Sequence, residues 1–192
     1  MASEEADSMM GEDWEADDTL SGGDTSSGSI GSSPGTPSGG IREAVDYVLS
    51  LVARKEYAES EIREKLLRRW DPRCADEALA YCVAQGYVDN ARYASMFVRY
   101  RGRNHYGPVR ILRELAARGI RGDAADLALE ECEVDFGEAA LEYARKNFRD
   151  GDLSDPAWKG KAFRRMAGRG YTADQIRYAL DALKEELSDR DC

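Results

Sequence analysis

The chain has 192 residues, 42% of them apolar, and a formal net charge of −10. That apolar share is enough to bury a core and excludes a wholly disordered chain. The negative total argues against a nucleic-acid partner only until the charges are located, because they are unevenly placed.

Residues 1–40 carry nine acidic side chains (Glu4, Glu5, Asp7, Glu12, Asp13, Glu15, Asp17, Asp18, Asp24) and no Lys or Arg. All 27 basic residues therefore lie beyond them, against 28 acidic ones, and that part is nearly neutral. The segment continues as TLSGGDTSSGSIGSSPGTPSGG, with too little apolar surface to offset the entropy of ordering its backbone. We expect a disordered acidic tail over 1–40. It lacks the basic and apolar regions of a signal peptide, and no stretch approaches the ~20 apolar residues of a membrane span, so a cytoplasmic protein with no membrane partner is expected.

From residue 41 the apolar spacing is helical. Ala44, Tyr47, Val48 and Leu51 follow the i, i+3, i+4, i+7 rule, as do Tyr93, Met96, Phe97 and Tyr100, and no alternating strand pattern occurs. The expected fold is all-α, with helices near 42–53, 58–69, 73–85, 89–103, 108–118, 123–133, 136–148, 156–168 and 173–187.

One phrase is written twice: LAARGIRGDAADLAL at 115–129 and MAGRGYTADQIRYAL at 166–180, 51 positions apart. Its Gly119 or Gly170 permits the left-handed backbone that ends a helix, and Ile120 or Tyr171 can fold back on the last turn. A new helix is then capped, by a Thr172/Gln175 capping box in one copy and by Asp123 in the other. A fainter copy lies upstream, where Tyr57, Ile62 and Leu66 precede Tyr106, Ile111 and Leu115 by 49 positions. There Arg69-Trp70 stands in place of Gly-Ile, and Asp71-Pro72 starts the next helix.

The period of about fifty predicts three tandem three-helix repeats, at 41–86, 87–134 and 135–187, followed by a short C-terminal tail at 188–192. Each unit has a small core, so neighbours should stack into an elongated, curved body. A nine-helix globule that merely records duplication is the alternative.

Chemistry for catalysis is sparse. There is no phosphate-binding G-x-x-x-x-G-K-[ST] loop and no G-x-S-x-G elbow, and His105 is the single histidine. Cys74, Cys82, Cys132 and Cys192 form no C-x-x-C pair, so neither a metal nor any other cofactor is expected. Cys82 falls on an apolar helical face, as a core thiol would. We expect no enzymatic activity.

Binding chemistry is concentrated in RYRGRNHYGPVRILRELAARGIR, residues 99–121. Arg99, Arg101, Arg103, Arg110, Arg113, Arg118 and Arg121 stand there against one acid, Glu114, interleaved with Tyr100, His105 and Tyr106. Arg110 and Arg113 share a helix face, and Glu114 can absorb part of the charge by pairing with Arg118 four residues on. A second basic group, Lys159, Lys161, Arg164, Arg165 and Arg169, occupies the equivalent helix of the third unit, beside Trp158 and Phe163 as packing residues. Such groups suit phosphates or an acidic protein surface; a solvated basic face is the plain alternative.

The stretch GYVDNARYASMFVRYR followed by GPVRILRELAARGI resembles the RecX family of bacterial regulators of the RecA recombinase. EIREKL and FRRMAGRGYTADQIRYAL resemble the family's patterns in the outer units, so the resemblance runs over 42–187. It departs at Ala58, where a capping Ser is frequent, at Asn90, where an Asp is frequent, at Arg69-Trp70, and in the acidic tail. The resemblance implies a protein lying along the groove of a RecA filament on DNA, inhibiting ATP hydrolysis and strand exchange. The expected partners are that filament and the DNA within it, with weak direct DNA binding and a monomeric state. Arg99, Arg101, Arg103, Arg110, Arg113, Lys161, Arg164 and Arg165 are the expected contacts with RecA or DNA. A helical module acting on DNA directly and a general helical-repeat scaffold are the rival readings. The tail, folded over the basic face, could compete with the partner.

Overall fold

The computed structural model describes residues 40–149, 151, 153 and 155–188. The expectations of a disordered tail, of its folding over the basic face, and of a tail beyond Ser188 lie outside the described residues. Within them every regular element is helical: α1 (Ile41–Val52), α2 (Glu59–Leu67), α3 (Pro72–Ala84), α4 (Asn90–Arg103), α5 (Pro108–Ala117), α6 (Asp123–Glu130), α7 (Phe136–Phe148), α8 (Pro156–Gly168) and α9 (Ala173–Ser188). The all-α expectation holds.

Local chemistry explains most helix ends. Asp71, Asp89, Asp135 and Asp155 each accept backbone N–H bonds from the first turn of the helix they precede. The Thr172/Gln175 box forms in both directions, at 2.9 and 3.3 Å. Asp123 corrects an expectation: the cap of α6 is Gly122 at φ 59, and Asp123 is already the first helical residue, making no side-chain cap bond. Its charge still sits at the positive helix end. α6 also stops earlier than its apolar pattern suggests, where Glu130, Glu131 and Glu133 crowd the negative end of the helix.

Gly119 and Gly170 adopt φ of 83 and 91. Gly119 N–H donates to Ala116 and Ile120 N–H to Leu115; Gly170 and Tyr171 donate likewise to Ala167 and Met166. These are complete Schellman turns, as the repeated phrase predicts.

Three clusters of buried side chains follow the chain. Val48, Ile62, Leu66, Ala78 and Cys82 form one; Tyr93, Phe97, Ile111, Leu115 and Ala128 a second; Tyr143, Phe148, Met166, Ile176 and Leu180 a third. In each, the first and third helices of a triplet make the most extensive contact. Every large side chain so buried contributes about 1.5–3 kcal/mol. Ala58, at the start of α2, crosses over: it is wholly buried in the second cluster.

That crossing marks the first of two joints. Ser60, in the first turn of α2, donates its hydroxyl to the Arg118 carbonyl at 2.5 Å. The Arg118 guanidinium pairs with Glu61 at 3.2 Å and lies over the Phe97 ring. Asn90 accepts from the Glu59 amide at 3.0 Å and donates to the Glu59 carboxylate at 2.9 Å, while Arg92 forks onto Glu56 at 2.7 and 3.1 Å. The departures at 58 and 90 thereby acquire reasons. A buried methyl suits position 58, where Glu61 already caps the backbone N–H at 3.0 Å. An Asp at 90 could not donate to Glu59.

The second joint repeats the placement with different contacts. The segment entering α5 meets the Schellman turn after α8: Gly107 N–H donates to the Arg169 carbonyl and Val109 N–H to the Gly170 carbonyl, each at 3.0 Å. A Cβ on Gly107 would stand 2.3 Å from Gly170 backbone atoms, and one on Gly170 2.5 Å from the Arg110 nitrogen. Arg169 stacks on Tyr106 at 4.5 Å and on Tyr143 at 5.1 Å, and donates to the Asn104 carbonyl at 3.3 Å.

The Arg-Gly phrase is thus a docking turn, seated each time on the N-terminus of the second helix of the preceding triplet. Among the described residues the upstream copy makes no such joint. Arg69 and Trp70 stack on Tyr47 in their own triplet, and neither adopts a positive φ.

Candidate partner-binding surface

The expected contact residues separate into inward and outward groups. Arg101 is the correction: it is 2% exposed, its Nε lies 2.9 Å from Glu114 Oε2, and its guanidinium sits against the rings of Phe97 and Tyr106. The ion pair is close but off hydrogen-bond alignment, since both atoms lack an aligned partner. Arg101 has no surface to offer a partner in this structure. Helical periodicity explains it, because Arg101 stands four residues after buried Phe97 on the same face of α4.

Arg110 is half-buried. Its Nε bonds to Glu114 Oε1 at 2.7 Å and its guanidinium covers Tyr106 at 4.5 Å. The expected Glu114–Arg118 ion pair does not form. Glu114 gives its carboxylate to Arg101 and Arg110, and Arg118 reaches only its backbone carbonyl, at 3.1 Å. Three guanidiniums, of Arg101, Arg110 and Arg169, thus pack against the single ring of Tyr106, at 4.9, 4.5 and 4.5 Å. Arg118 and Arg169 are structural residues of the joints. The signal for this was present in the sequence, since both belong to the repeated Arg-Gly pair.

Facing outward are Arg99 and Arg103 on α4, Arg113 on α5, and Lys161, Arg164 and Arg165 on α8. Arg165 donates to Asn147 Oδ1 at 3.1 Å and lies over Phe148. Among the described residues Arg99, Arg113, Lys161 and Arg164 have no ion-pair partner. Lys159, from the same basic group, is tied to Asp181 at 2.8 Å. The second joint brings the two basic groups of the sequence to one place, because Arg110 at the start of α5 and Arg169 after α8 share the Tyr106 ring.

Burial pushes the Tyr93 and Tyr171 hydroxyls and the Cys82 thiol to higher pKa; of the free cysteines among the described residues, Cys74 and Cys82 are buried and Cys132 is half-buried. Among the described residues no group of His, Cys, Asp and Glu could hold a metal ion, and no helix is long and apolar enough to cross a membrane.

A helical protein of linked three-helix units, with outward cations on the second and third, has the build of the repeat proteins, which present extended surfaces. Comparison with known proteins is specific about which. Models of the second and third three-helix domains of RecX match residues 89–129 and 133–180. The regulatory protein RecX of Halorhodospira halophila is 37% identical over 150 residues, covering 77% of this chain and 93% of that protein. That of a Pseudomonas fluorescens strain is 35% identical over 67% of this chain and 83% of its own length. A crystal structure of RecX from Lactobacillus salivarius shares the fold, with a TM-score of 0.62 at 19% identity over 77% of this chain and 96% of that one. The chain belongs to the RecX family, whose members are regulatory proteins rather than enzymes.

Proposed function

We propose that this protein regulates the RecA recombinase by lying along the groove of the RecA–DNA filament, where it inhibits ATP hydrolysis and strand exchange and so modulates recombination, repair and the SOS response. The observation that carries this reading is membership of the RecX family over most of the chain's length. Supporting it, three units joined in a row supply reach along a filament, and Arg99, Arg113, Lys161 and Arg164, outward and without an ion pair among the described residues, suit an anionic groove. Arg103 and Arg165 flank them. Arg110 contributes through its exposed edge, while Arg101 holds the middle unit together from inside.

The test is the single-stranded-DNA-dependent ATPase rate of the cognate RecA as the protein is titrated in, beside binding to DNA alone at matched salt. Dose-dependent inhibition where bare DNA is unbound is the expected result. Inhibition only where the protein coats free DNA, with a steep salt dependence, would favour a DNA-binding module instead. No effect on RecA would leave a general scaffold.

A further inference from the structure

His105 sits in a position that ordinarily selects glycine. Its N–H donates to Gly102 and the next N–H to Arg101, at 3.0 and 3.1 Å, closing a Schellman turn after α4. Its φ of 57 makes it the one non-glycine residue with positive φ among the described residues. A left-handed residue with a Cβ costs about 1–2 kcal/mol, and such outliers point to a side chain with work elsewhere.

The side chain leaves its own unit and enters the second joint. It is 17% exposed, with Nε2 2.8 Å from Lys146 Nζ and Nδ1 3.9 Å from Glu142 Oε2. The ring is tilted against Tyr143 at 6.4 Å. An ammonium can only donate, so Nε2 must be the acceptor and the ring neutral, with its proton on buried Nδ1.

We propose that His105 is a proton-sensitive latch holding the third unit on the middle one. Neutral, it accepts a hydrogen bond from Lys146. Protonated, it sets a second cation against that ammonium and loses the only lone pair the lysine uses. The charged groups facing it are Lys146 and Glu142 on α7 and Arg169 after α8; its own turn adds none. Burial, Lys146 and Arg169 disfavour the imidazolium, while Glu142 and the Ala139 carbonyl favour it, and the balance lies below the ordinary histidine value. The sign follows. The unfolded chain binds the proton more readily, so the latch's contribution is complete above about pH 6.5 and is lost as pH falls below it. Lysine then separates from the ring, and the ring turns to Glu142.

The single histidine makes its imidazole resonance unambiguous in the full-length protein. Followed from about pH 8 to about pH 5, it should titrate below the ordinary histidine value, move up in Lys146→Met and move down in Glu142→Gln. The joint has its own reporters, the Gly107 and Val109 amides that bond across it. Their protection against hydrogen exchange, relative to the intrinsic rate, should drop on the acid side in the native protein. It should hold in His105→Asn, which tolerates the left-handed backbone but does not titrate. An imidazole midpoint at or above the ordinary value, or an equal loss of protection in His105→Asn, would overturn the latch.

Discussion

The two joints use one turn in two ways. At the first, the Arg-Gly turn after α5 is fastened by side chains, Ser60 to the Arg118 carbonyl and Glu61 to the Arg118 guanidinium, while Asn90 ties α4 to Glu59 of α2. At the second, the turn after α8 is fastened by its backbone, with Gly107 and Val109 bonding directly to Arg169 and Gly170. The first leaves space around Gly119, where a Cβ would find Ser60 at 3.7 Å; the second leaves none around Gly170. A side-chain joint tolerates an added atom, whereas a backbone joint fails if either chain gains one. A duplicated phrase therefore does not imply a duplicated tolerance.

The largest effect is expected at Glu114, which lies between the joints and holds both Arg101 and Arg110. Glu114→Ala strands a buried guanidinium and should cost about 3–5 kcal/mol, read from urea unfolding. The glycines sharpen the comparison directly. Gly170→Ala adds overpacking against the Arg110 backbone to left-handed strain and should cost about 2–5 kcal/mol, with the third unit becoming sensitive to protease. Gly119→Ala carries only the strain, about 1–2 kcal/mol. Equal losses at the two glycines would erase the distinction between the joints.

A smaller change separates charge from geometry at the first joint. Asn90→Asp removes the donor to Glu59 and sets two carboxylates together, for about 1 kcal/mol. The loss should shrink as pH falls into the carboxylate range and one of the pair takes a proton. Smallest in stability is Arg113→Glu with Arg164→Glu, both exposed and without an ion pair among the described residues. Thermal unfolding should change by less than about 0.5 kcal/mol, while inhibition of the RecA ATPase weakens markedly. Full inhibition by that double variant would remove the outward cations from the proposed contact surface.

Much of the fold is legible in the amino-acid sequence. Apolar spacing announces the helices, and the Gly-Ile and Gly-Tyr pairs announce the Schellman turns, because both depend on residues within a few positions of one another. The candidate surface is legible only in composition. A run of arginines shows that charge is concentrated, but Arg99 and Arg101 are near neighbours in sequence and opposite in fate. Only the rotation of α4 against its cluster places one in water and the other beside Glu114.

By itself, the sequence determined the helical class, the period of about fifty and the turn chemistry, since these are set by local backbone preference and by which face of a helix is apolar. The tertiary structure alone decided what the repeated Arg-Gly phrase is for, that Arg118 finds Glu61, and that a histidine in a glycine position reaches into the next unit. Those choices depend on side chains tens of positions apart meeting at 3–5 Å. No window of sequence contains both partners.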